Sequence, residues 1–140
     1  TTDRYCDMNS RQALNAYSKV GVQSGVTDAS PHQLISMLIA GAQDRIAEAR
    51  GAMERQQVAR QGELVGKAIS IVDNLRVSLD HSKGGELAGN LGDLYDYMQR
   101  RLVEANATSD PAILAEVHGL LGTVREGWEA IPAEFRHSAT

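Results

Sequence analysis

SPHQLISMLIAGAQDRIAEARGAM, residues 30–53, decides the fold. Ser30 is a favoured N-cap, Pro31 suits the first helical position, and Gln33 stands at capping-box distance from Ser30. Apolar residues then recur in steps of three and four: Leu34, Met37, Leu38, Gly41, Ile46, Ala49 and Met53, with Ile35 and Ile39 beside them. A strand would alternate every second residue, so this spacing predicts an amphipathic helix.

Three further patterns of the same kind follow. The second carries Leu64, Ala68, Ile71, Leu75 and Leu79, flanked by Val65, Ile69 and Val72. The third carries Leu87, Leu91, Leu94, Met98 and Leu102. The fourth opens with Asp110 as cap and Pro111 just inside, carries Ile113, Val117, Leu120, Val124, Trp128 and Ile131, and is stopped by Pro132. Upstream, SRQALNAYSKV reads as a short helix whose Leu14 and Tyr17 share a face, and the Gly/Ser/Thr-rich GVQSGVTDAS follows as a linker. No segment shows sustained alternation. The expected fold is all-α, an antiparallel four-helix bundle with a short extra N-terminal helix. The expected map is a disordered or foreign extension over 1–8, ahead of a natural start at Met8. A capping segment and linker cover 9–29, the helical bundle 30–131, and a flexible tail 132–140.

The 140 residues fit one domain. Hydrophobic residues make up 42% but aromatics only 4%, so the core is built from aliphatic side chains. A net charge of -4 argues against nonspecific nucleic-acid binding, which needs a basic surface to displace counterions. The one cysteine, Cys6, has no internal partner for a disulfide, which fits a reducing compartment. No apolar run reaches the roughly 20 residues of a membrane span, and no leader pattern is evident. The expected location is the cytoplasm, with no membrane insertion.

The sequence offers no catalytic constellation, and no cofactor is expected. A di-metal carboxylate site in a bundle needs two Glu-x-x-His pairs. Only Glu134 and His137 have that spacing, beyond Pro132; His32, His81 and His118 lack it. The Gly-Lys of GELVGKAIS is followed by Ala68 where a phosphate-binding loop needs Ser or Thr.

Each residue turns a helix by about 100°, so Tyr95 and Tyr97 point about 200° apart. Leu91, Leu94, Met98 and Leu102 set the buried arc. Tyr95 lies on its flank and reads as a core-edge residue. Tyr97 falls on the other flank and is expected to be at least half exposed. Arg101, four residues on, is placed over the Tyr97 ring, so that the two help form the outer surface, for a partner or for bundle packing. The stripes of the first two helices are wider than an ordinary bundle helix needs. The extra residues line a fat core or sit under the N-terminal segment, or they form an apolar track for a partner peptide: Ile35, Ile39 and Ile46 with Val65, Ile69 and Val72. Leu14 and Tyr17 are then placed to cover that groove.

LYDYMQRRLVEAN, followed by SDPAILAEV and VREGW, closely resembles the FliS family of flagellin export chaperones. NAYSKV, TDASPHQLISMLIAGA and AISIVDNLRVSLD fit as well, and the similarity covers about Ser10 to Ile131. Gln99 departs from the pattern, standing where several relatives carry another aromatic. The resemblance implies a cytoplasmic chaperone that binds the disordered C-terminal region of newly made flagellin. It implies that premature polymerisation is prevented and that cargo is delivered to a component of the flagellar type III export gate. It also implies an N-terminal segment that occupies part of the groove in the empty protein, a role that falls here on Leu14 and Tyr17. The alternative is a structural bundle that uses its apolar stripe for homodimerisation.

Overall fold

Four helices fill the computed structural model, which describes residues 30–132. They are α1 (Pro31–Glu54), α2 (Val58–Val77), α3 (His81–Thr108) and α4 (Pro111–Glu129). Among the described residues there is no strand. The expected N-terminal helix with Leu14 and Tyr17, and the expected tail from 133 onward, lie outside the described residues.

The ends of α1 and α4 follow from local chemistry. Ser30 Oγ accepts the Gln33 N–H at 3.2 Å, and Gln33 Oε1 accepts the Ser30 N–H at 2.8 Å. This capping box satisfies donors that a helix start leaves unpaired, a contribution of about 1 kcal/mol. Asp110 Oδ1 accepts from Ala112 N–H at 2.9 Å, with Pro111 as the first helical residue. Gln56 and Ser109 hold positive φ of 58° and 49° in the turns that reverse the chain. α3 is broken near its start, where Gly85 has φ 55° and ψ -127°.

The short connections 55–57, 78–80 and 109–110 make consecutive helices antiparallel neighbours. α1 packs on α2 and α4, and α3 packs on α2 and α4, so the four form a closed ring around one core. Each helix therefore has neighbours on two sides and buries a wide arc. The core is aliphatic, centred on Leu38, Ile39, Ile46, Leu64, Leu75, Met98, Leu102, Leu114 and Leu121. Tyr95, only 2% exposed, is buried more deeply than a core-edge position, and burial pushes its hydroxyl up to about 12. Leu87, the first apolar position of the third pattern, is 49% exposed: it stands just past the break at Gly85, where α3 has only begun to run against the bundle.

Candidate partner-binding surface

The expected apolar track lies inside the bundle. Ile39 and Ile46 are fully buried, and Ile35, Val65 and Val72 are buried with them in the common core. This corrects their placement as an open flank. The reason is the ring topology: α1 and α2 each face two neighbours, so the wide stripe is used by internal packing. Ile69 alone of the six is only partly buried, and it leans toward α3, where its carbonyl accepts from Gln99 Nε2 at 3.4 Å.

The flank of α1 belongs instead to Leu34, Met37 and Gly41, all half-buried. Their directions fall about 120° from the centre of the buried arc. His32 and Gln43 mark the α4 side of α1, because His32 bonds Trp128 and Gln43 Nε2 donates to the His118 carbonyl at 3.3 Å. Leu34 and Gly41 lie on the opposite side, toward α2. On α2, Gly62 faces Asn106 and Asp73 faces Gln99, which marks the α3 side. Ile71 and Asn74 project the other way, toward α1. Antiparallel pairing about the turn at 55–57 brings Gly41 near the level of Ile71. The outer α1–α2 furrow is thus edged by Leu34, Met37, Gly41, Ile71 and Asn74, the last only 5% exposed. The sequence pattern marks Leu34 and Met37 only as apolar positions of α1 and does not single out Asn74.

Tyr97 and Arg101 are both half-exposed, and they meet on α4 rather than ring over cation. Tyr97 donates its hydroxyl proton to Glu116 Oε2 at 2.6 Å, and Arg101 Nε donates to Glu116 Oε1 at 2.8 Å. Arg101 Nη1 also donates to Glu104 Oε2 at 2.6 Å. The Tyr97 hydrogen bond, then that of Arg101, holds the Glu116 carboxyl below its ordinary value. The same bond to Glu116 raises Tyr97. The trio ties α3 to α4 and presents a polar edge.

At the other end of that helix pair lies an apolar groove of about 230 Å³, lined by Leu87, Leu91, Thr123, Val124, Gly127, Trp128 and Ile131. Its floor is set by Trp128, whose ring stacks on His32 with centroids 4.8 Å apart. Among the described residues no cluster of His, Cys, Asp and Glu could hold a metal ion. No described helix is long and apolar enough to cross a membrane.

A family model described as Flagellar protein FliS matches residues 13–134. Flagellar secretion chaperone FliSB of Pseudomonas aeruginosa is 50% identical over 124 residues, covering 89% of this chain and 98% of that protein. Flagellar secretion chaperone FliS of Salmonella typhimurium is 46% identical over 134 residues, covering 94% and 99%. The protein of the same name from Bacillus subtilis is 38% identical over 113 residues, covering 80% and 84%.

Proposed function

The chain belongs to the FliS family of flagellar proteins, and from that premise we propose that it is a cytoplasmic chaperone for flagellin, holding the disordered C-terminal region of the newly made protein until export. One observation carries this reading: relatives named flagellar secretion chaperones align with this chain over nearly the whole of both lengths. The same alignment supports delivery of the cargo to a component of the flagellar export gate.

The geometry supports a long shallow contact rather than a deep pocket. A disordered segment loses conformational entropy on binding, so it needs an extended apolar track to compensate. The outer α1–α2 furrow offers one, edged by Leu34 and Met37 of α1 and by Ile71 of α2. The Tyr97–Glu116–Arg101 edge supplies polar groups on the far side of the bundle, where a wrapped segment would pass next. Leu14 and Tyr17 are the residues of the N-terminal segment that would cover the furrow when no cargo is present. Such self-covering lowers apparent affinity by the fraction of molecules that are closed, which favours release at the gate.

Co-purification with flagellin tests this reading. The intact flagellin is retained at roughly one to one, and flagellin lacking its C-terminal region is not. Equal retention of both forms would refute it.

A further inference from the structure

We propose that the apolar groove between α3 and α4 docks a short amphipathic helix of a partner protein, with apolar residues along one face and lysine or arginine on its flanks. The groove walls are almost wholly apolar: Leu87 is 49% exposed, and Leu91, Val124 and Ile131 are half-buried around the Trp128 ring. Its volume of about 230 Å³ is below the roughly 300 Å³ at which small-molecule pockets begin. It is long instead. The α4 wall from Thr123 to Ile131 runs about 12 Å, two helical turns. That length takes apolar side chains at i, i+3 or i+4, and i+7 of a helix lying along it. Gly127 in the same wall has nothing within 4 Å of its Cβ position, which leaves room for a close approach.

Charge decides the flanks of the occupant. Residues 81–132 carry eight Asp and Glu against four Lys and Arg, whereas residues 31–77 carry five against six. The negative potential is therefore concentrated on the α3–α4 half. Glu86 and Asp93 are exposed on the outward side of α3, and Glu126 on that of α4. Among the described residues none of the three forms an ion pair, because the nearby arginines are taken: Arg100 by Asp96, Arg101 by Glu104 and Glu116, Arg125 by Glu129. A cationic flank would meet carboxylates on both walls. A second copy of the chain fits less well, since the same face paired with itself sets one acidic rim against the other. The groove lies across the bundle from the α1–α2 furrow, so filling one leaves the other open.

The test uses the full chain without flagellin, so its outcome is separate from that of the chaperone reading. Trp128 is the only tryptophan of the chain and lines the groove, so its fluorescence reports occupancy. The probe is a synthetic helix of leucine and lysine, LKKLLKLLKKLLKL, and the control has glutamate in place of lysine. The lysine peptide is expected to shift Trp128 emission saturably, with affinity falling at least about tenfold between about 0.05 and 0.5 M salt. Leu87→Asp, and separately Glu86→Lys with Glu126→Lys, are each expected to weaken binding at least about tenfold with helicity unchanged. Leu34→Asp with Ile71→Asp, across the bundle, is expected to leave it unchanged. Absence of binding, equal binding of the two peptides, or equal affinity of wild type and Leu87→Asp overturns the proposal. So does a Trp128 emission that shifts with protein concentration alongside a doubled mass in light scattering, which would assign the groove to a second copy.

Discussion

The indole N–H of Trp128 donates to the backbone carbonyl of His32 at 2.9 Å, and His32 Nε2 lies 2.6 Å from the carbonyl oxygen of Trp128. The rings stack nearly parallel, 8° apart, and both residues are 5% exposed. The Trp128 carbonyl, in the last turn of α4, also accepts the Ile131 N–H at 3.3 Å, so His32 is a second partner for it, and the exchange closes the start of α1 onto the end of α4.

Removing the indole donor isolates the hydrogen bond. Trp128→Phe is expected to lower stability by about 1 kcal/mol for the lost bond. Trp128→Ala, which also opens a cavity, is expected to cost about 3–5 kcal/mol. Urea unfolding followed by circular dichroism measures both. A Trp128→Phe midpoint equal to wild type would show that the bond contributes nothing.

The Tyr97–Glu116–Arg101 trio makes stability sensitive to acid. Glu116 is held below its ordinary carboxyl value in the folded chain, so its contribution is fully present above the unfolded value of 4.5. It is lost as pH falls through the lowered folded value. Glu116→Gln is expected to flatten this part of the acid profile, seen as a smaller drop in urea midpoint between pH 6 and pH 3 than in wild type. An identical drop would remove the trio from the account.

Alkaline titration separates the two tyrosines. Tyr95 is raised to about 12 by burial, so its neutral form is stabilised by folding. That contribution is complete below the unfolded value of 10.0 and is lost as pH rises toward about 12. Absorbance of tyrosinate in Tyr95→Phe is expected to lose the latest-titrating component. Loss of an early component instead would contradict the burial.

Two glycines are expected to respond with opposite sign. Gly85, at φ 55° and ψ -127°, holds a conformation that a side chain strains, and Gly85→Ala should cost about 1–3 kcal/mol. Gly66 lies within α2 with open space around its Cβ position, and Gly66→Ala should stabilise by about 0.5–1 kcal/mol. Denaturant midpoints read both effects, and a stabilising Gly85→Ala would mean that the break in α3 is not required.

The fold was legible because period, caps and stops agree: Ser30, Pro31, Asp110, Pro111 and Pro132 punctuate four aliphatic stripes. The rotation of α1 was not. Its stripe is so wide that Leu34–Met37–Leu38–Gly41 and Ile35–Leu38–Ile39–Ala42 are equally apolar. The seven-residue recurrence of Ile35, Ala42 and Ala49, and of Ile39 and Ile46, carried the signal, since small and branched residues alternate where helices meet closely. Buried polar residues were invisible for a different reason. Gln61 Nε2 donates to Asn106 Oδ1 at 3.0 Å across the helix ends, and Trp128 meets His32 across the bundle. Such partners are far apart in sequence, and no local pattern announces them.

The central claim is that the outer α1–α2 furrow holds the C-terminal segment of flagellin. Calorimetric titration of that flagellin segment into the wild-type protein, and into the Leu34→Asp and Ile71→Asp double variant, tests it most directly. Because Leu34 and Ile71 are only half-buried, the variant is expected to fold, whereas a charge at fully buried Ile39 would not be tolerated. The account predicts roughly one-to-one binding to wild type and at least about tenfold weaker binding to a folded variant. Equal affinity of the two proteins, or no binding to wild type, would contradict it.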